Sequence, residues 1–238
     1  MVSAVPLFWA VPAFAQTELF EQDESGIHPY AGLKWNSKIA QPLLGFEYTL
    51  DGRLTFGADV GMPLQDTAFS NPGTDSLIAS SFHSFFLNPY FQVDLLEPGH
   101  SGDLSFSVRG DFIYQNTLSD PHGNDMHSSG FGIGPVLAYR FKIGDQTEFI
   151  PKVSYEFLYS RWIRNWVTYD NGPGNPPGHY DDEYFLQHDI ALAAGWVYWI
   201  TETQGLNFEP KALLEFGDGL RKSDWVNVQL QIGYLLAF

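Results

Sequence analysis

At the end of the chain Val226, Val228, Leu230, Ile232, Tyr234, Leu236 and Phe238 occupy alternate positions, with Asn227, Gln229, Gln231 and Gly233 between them. A period of two places the first set on one face of a β-strand and the polar set on the other, a sorting no helix achieves. The same period recurs upstream. Leu44, Phe46, Tyr48 and Leu50 alternate with Gly45, Glu47 and Thr49. Asp51-Gly52 is a tight-turn dipeptide. After it Leu54, Phe56, Ala58, Val60 and Met62 alternate with Arg53, Thr55, Gly57 and Asp59. Stretches 85–95, 104–114, 131–143, 149–159, 190–200 and 206–216 repeat the pattern, and a shorter segment lies at 30–35.

These segments amount to about ten strands, an even number as single-chain membrane barrels require. Their connections fall into two alternating classes. Those at 51–52, 97–102, 144–146 and 201–204 are short, while 63–81, 116–129 and 164–182 are long. Charged side chains make up only 17% of the residues, against roughly 25% in an ordinary soluble domain. Aromatics reach 16%, and mean hydropathy is −0.15. No later stretch approaches the roughly 20 consecutive apolar residues of a membrane helix. Such a chain suits a wall that shows every second side chain to lipid. In hydrocarbon each unsatisfied backbone group costs several kcal/mol, so no strand edge stays open and the sheet must close. The expected fold is all-β: a closed antiparallel transmembrane β-barrel of about ten strands, with short periplasmic turns and long outer loops.

The first residues fit export. Ala4 to Ala13 is a short apolar run, and Ala13-Phe14-Ala15 has the small-x-small form of a cleavage site, although no Lys or Arg precedes Lys34. A signal peptide over 1–15 and a single barrel domain over 16–238 are expected. The terminal Phe238, with Tyr234 four residues earlier, resembles the assembly signal of bacterial outer-membrane barrels. The bacterial outer membrane is therefore the expected location.

Charge and composition narrow the function. A formal net charge of −16 argues against nucleic acid, which needs a basic face. With no Cys, thiolate zinc sites and cysteine nucleophiles are absent. Glu47, Asp59, Asp94, Asp111, Glu156, Asp189, Glu209, Glu215, Arg53, Arg109, Arg140, Lys142, Lys152 and Lys211 are expected to face the lumen and to pair there instead of lining an open pore. Chemistry then belongs in the long outer loops. These hold Asp66 and Asp75; Asp120, His122, Asp125 and His127; and Asp170, His179, Asp181, Asp182 and Glu183. A His beside a carboxylate can act as general base, and a second carboxylate can orient water. Segment 122–127 also has the donors for a weak divalent-metal site. The competing reading of the same residues is solvated acidic surface. No Gly-x-Ser-x-Gly elbow occurs, and no cofactor is implied.

Several segments are similar to omptins, the ten-stranded outer-membrane endopeptidases whose site lies in a groove atop the barrel. Leu33-Lys-Trp35 followed by 40–62, Ser70-Asn-Pro-Gly-Thr74 after Asp66, 130–157, and 182–198 with Ala194-Gly-Trp-Val-Tyr198 carry the resemblance. The family uses an Asp-x-Asp pair in the second outer loop and an Asp-x-His couple in the fourth. This sequence has Asp66 alone in the second loop, and Asp170 and His179-Tyr180-Asp181 in the fourth; its Asp-x-His, Asp125-Met-His127, falls in the third. The resemblance implies Asp66 orienting water and His179 acting as base, held by Asp170 or Asp181. Its implied partners are outer-membrane lipid, lipopolysaccharide and basic peptide or protein substrates. A non-enzymatic structural or adhesive barrel and a small pore are the alternatives.

Overall fold

The computed structural model describes residues 25–36, 39–62, 64–65, 85–95, 102–117, 125–166, 179–217 and 226–236. The strands are β1 (Gly26–Asn36), β2 (Ile39–Leu50), β3 (Leu54–Gly61), β4 (Leu64–Gln65), β5 (Phe85–Asp94) and β6 (Gly102–Thr117). They continue as β7 (Asp125–Ile143), β8 (Thr147–Trp166), β9 (His179–Thr201), β10 (Gln204–Gly217) and β11 (Val226–Leu236). Sequence neighbours pair antiparallel, and β1 pairs with both β2 and β11, which closes the sheet on itself. Leu64↔Ala40 continues the register of Gly61↔Leu43, so β4 extends β3 and the wall is ten strands around.

The wall is inverted relative to a water-soluble protein. Leu44, Leu192 and Val228 are 62%, 60% and 66% exposed, whereas Glu47 is 1% and Asp59 0% exposed. Apolar side chains cover the outside of every long strand, an exposed patch far larger than a soluble monomer carries. Lipid satisfies that surface. The molecule is a membrane-spanning barrel of the outer-membrane type. Ring contacts mark two belts. Phe141, Phe149, Trp196 and Phe208 run across four strands toward the short turns, and Phe131, Tyr159 and Tyr184 across three toward the other end. Leu192 lies midway between Trp196 and His188 on the lipid face of β9. Arginine there should destabilise the barrel by about 2–4 kcal/mol, checked by urea unfolding in lipid vesicles.

Inside, four aromatic side chains lie over glycines directly opposite on the next strand: Tyr30 over Gly45, Tyr90 over Gly57, Phe86 over Gly61 and Trp199 over Gly205. A Cβ on Gly45 or Gly57 would fall 2.2 Å from a tyrosine ring atom, so glycine is what lets each ring lie flat against the wall. At the Asp51-Gly52 turn both residues have positive φ, 52° and 59°, and Arg53 N–H donates to Leu50 C=O at 3.1 Å. This is the twist-matched hairpin turn its sequence announces.

Two expectations are corrected. Arg53 and Lys142 fall in step with the inward residues of their strands but lie exposed at the short-turn end, not enclosed in the lumen. The outer loops are also shorter than the sequence suggests, because β6 runs to Thr117, β7 begins at Asp125, β8 runs to Trp166 and β9 begins at His179. Asp125, His127, His179, Asp181, Asp182 and Glu183 thus belong to strands. β7, β8 and β9 have 19, 20 and 23 residues, about twice the 9–11 of a membrane-crossing strand. With β6, whose 16 residues exceed the 11 of β1 and the 10 of β5, they form a wall standing above the bilayer on the outer side.

Candidate functional site

Alternation sends every second residue of each strand into a narrow lumen, and there the polar residues find one another. Arg109 of β6 lies 3.0 Å from Asp59 of β3 and 3.4 Å from Asp111. Lys152 of β8 and Glu209 of β10 pair at 2.8 Å, with both side chains 1% exposed. Arg140 bonds Asp103 and approaches Glu148 at 4.0 Å. The Tyr90 hydroxyl donates to Glu47, which also lies 3.6 Å from His28. Gln187 donates to Asp189 at 2.7 Å. Buried charges are tolerable when paired in this way. Toward the short-turn end Ile150, Val197, Trp199 and Leu235 add an apolar layer. A cavity of about 20 Å³ between Arg109, Asp111, Ser154, Glu156 and Lys211 has room for about one water. Among the described residues, ion pairs thus cross the lumen from β3 to β6 and from β8 to β10.

The outer wall offers more. Arg161 of β8 holds Asp182 of β9 by two hydrogen bonds, Nε at 3.0 Å and Nη2 at 2.8 Å, and its guanidinium lies 5.5 Å from the centre of the Tyr184 ring. This fork holds the exposed Asp182 carboxyl below the usual carboxylate range. The pair therefore persists at neutral pH and is lost as pH falls through that lowered value. Nearby, Tyr155 Oη and His188 Nδ1 lie 2.6 Å apart on the lipid face.

Of the expected site residues, His179 and Asp181 lie on β9, with backbones opposite Trp166 and Arg164 of β8. They fall at alternate positions in step with Gln187 and Asp189. His127, Ile163 and Asp182 form one row across β7, β8 and β9. Asp66 and Asp170, with Asp75, Asp120 and His122, lie outside the described residues. Arg161 escaped sequence reasoning because the apolar alternation ends at Tyr159. Lys34 and His28, both buried in the lumen, escaped because the first strand is short in apolar signal.

Among known proteins the sequence matches no family model and no curated protein. Solved structures of similar chain path include the outer membrane protease OmpT from Escherichia coli, 10% identical over 90% of this chain and 93% of that one, with a TM-score of 0.44. The attachment invasion locus protein Ail of Yersinia pestis is 9% identical over 92% and 100%, at 0.42. The N-terminal β-barrel domain of Pseudomonas aeruginosa OprF is 10% identical over 92% and 100%, at 0.37.

Proposed function

We propose that this chain is a non-conducting barrel of the bacterial outer membrane that works at its outer wall, and that the work is cleavage of basic peptides. The first part is supported by the buried ion pairs Arg109–Asp59 and Lys152–Glu209, which cross the lumen between strands. The second part is supported by the position of His179 and Asp181, two residues apart on the strand-held end of β9. Groups on strands keep tighter geometry than groups on loops.

In this reading His179 takes a proton from a water that Asp66 orients, and the water oxygen attacks the scissile carbonyl carbon. Asp170 or Asp181 holds the imidazole and stabilises its protonated form. The C–N bond then breaks as the imidazolium returns the proton to the leaving amine, which leaves a carboxyl and an amino terminus. A net charge of −16 raises the local concentration of basic substrates.

The test uses refolded protein in detergent with lipopolysaccharide and a quenched fluorescent peptide bearing paired basic residues. Cleavage is expected, and His179→Ala should lower its rate by about 10²-fold or more. Equal cleavage by both proteins would move the base elsewhere, with His127 the next candidate. Absence of cleavage by either, in protein shown folded by heat-modifiable gel mobility, would replace the enzyme with an adhesive or structural barrel.

A further inference from the structure

The strands do not pair equally well. The ladders β6–β7, β8–β9 and β10–β11 run without a gap, and so do those that join β11, β1, β2, β3 and β5. The other three lapse within their length. β5–β6 has no pair at Asn88 and Pro89, and β9–β10 none at Glu209 and Pro210. β7–β8 has none at Gly134 and Pro135 of β7, nor at Ile150 and Pro151 of β8. Each gap is a proline and the residue before it. Pro29 and Pro42 open no such gap, because the β1–β11 and β2–β3 ladders begin one residue after them.

The cause is covalent. Proline has no N–H, so a carbonyl on the next strand loses its donor. All four prolines fall in step with the outward residues of their strands, as Pro89 does with Leu87 and Phe91. Pro135 lies between Phe131 and Phe141, and Pro151 between Phe149 and Tyr159, inside the two aromatic belts. No water is available there to replace the lost bond. Main-chain pairing is therefore weakest along these three seams. They divide the wall into three plates: β10 and β11 with β1, β2, β3 and β5; β6 with β7; and β8 with β9.

On the opposite face of the wall, inside the lumen, an ion pair crosses each seam. Arg109 of β6 reaches Asp59 of β3 over the β5–β6 seam, at 3.0 Å. Arg140 of β7 approaches Glu148 of β8 at 4.0 Å. Lys152 of β8 reaches Glu209 of β10 over the β9–β10 seam, at 2.8 Å. Side chains thus join the plates where the backbone does not.

We propose that the barrel is a shell of three plates in which each proline seam is latched from inside by its own ion pair, so that releasing one pair lets that seam flex and no other. The backbone makes each plate stiff, and charge holds the plates together. The device needs no catalysis and stands apart from the endopeptidase reading.

The chain has no Cys, so paired spin labels can be placed at chosen sites. Labels on Phe56→Cys and Leu137→Cys span the β5–β6 seam, and labels on Leu44→Cys and Leu206→Cys span as many strands within one plate. Dipolar distance distributions are measured on the full-length protein refolded in lipid vesicles. Asp59→Asn with Arg109→Gln should broaden the first distribution about twofold and leave the second unchanged. Lys152→Gln with Glu209→Gln releases a different seam and should leave both unchanged. Pro89→Val restores a donor on the lipid face and should narrow the first distribution, with or without the Asp59 and Arg109 changes. Because Pro89→Val alone keeps every luminal charge, its comparison with wild type stands even if a charge variant fails to fold. Equal widths before and after Pro89→Val would overturn the proposal. So would equal broadening of the first distribution by the two pairs of charge changes, or broadening of the second, either of which would show general loosening in place of a latched seam.

Discussion

Replacing Arg109 with leucine should cost the barrel about 3–5 kcal/mol of stability and open it to small cations. The guanidinium lies within 3.4 Å of carboxylates on two strands, Asp59 of β3 and Asp111 of β6, and all three side chains are buried. Leucine fills part of the volume but takes from the two carboxylates the guanidinium that both of them contact. Water and cations are the available replacements, and both need a path from the surface. Urea unfolding in lipid vesicles reads the first effect and planar-bilayer conductance the second. Adding Asp59→Asn and Asp111→Asn to Arg109→Leu should recover part of the stability and remove the conductance, because the orphaned charges are gone. A single variant that keeps wild-type stability and stays silent in the bilayer would show that Arg109 does not lock the lumen.

Gly134→Ala should abolish refolding altogether. A Cβ there would fall 1.8 Å from the Tyr155 carbonyl oxygen and 2.8 Å from the Glu156 Cα, both backbone atoms that cannot rotate away. The β7–β8 ladder already skips Gly134 and Pro135, passing from Ile133↔Phe157 to Val136↔Ser154. Pro135 has no N–H to give, and the two backbones close up beside it. An alanine must push β8 outward over several residues of a closed wall, an effect beyond about 4 kcal/mol. Gly144 is the control: it has a φ of +73° but nothing within 4 Å of an added Cβ, so Gly144→Ala should cost only about 1–2 kcal/mol. Heat-modifiable mobility after refolding separates the two outcomes.

Much of the wall was legible because lipid enforces the pattern. Between the aromatic belts an outward position must be apolar, so the alternation there needs no help from context. Ile190, Leu192, Trp196 and Tyr198 are outward as expected, and Asp189, Val197 and Trp199 inward. Above the bilayer that demand lapses. Arg161 and Asp182 occupy outward positions where water and headgroups accept charge, and the alternation dissolves although the strands continue. For this reason 164–182 reads as loop from the sequence, ends of β8 and β9 included. The lumen was legible as a set of polar residues, not as partners. Arg109 with Asp59, fifty residues apart, and Lys152 with Glu209 meet only because the barrel closes. The catalytic candidates were legible as residue types alone: His179 and Asp181 now have a strand position, and Asp66 and Asp170 lie outside the described residues.

The four rings lying on glycines act as an alignment key for assembly. Tyr30 keys β1 to β2, and Tyr90 and Phe86 key β5 to β3. A slip of one residue turns a ring toward lipid and a glycine notch with it. A slip of two keeps both inside but sets Tyr90 against Thr55 or Asp59, where no notch exists. The first mismatch strands a lumen ring in lipid and the second is too thick for the narrow lumen, so a strand sliding by one or two residues during insertion is driven back to the register in which ring meets notch.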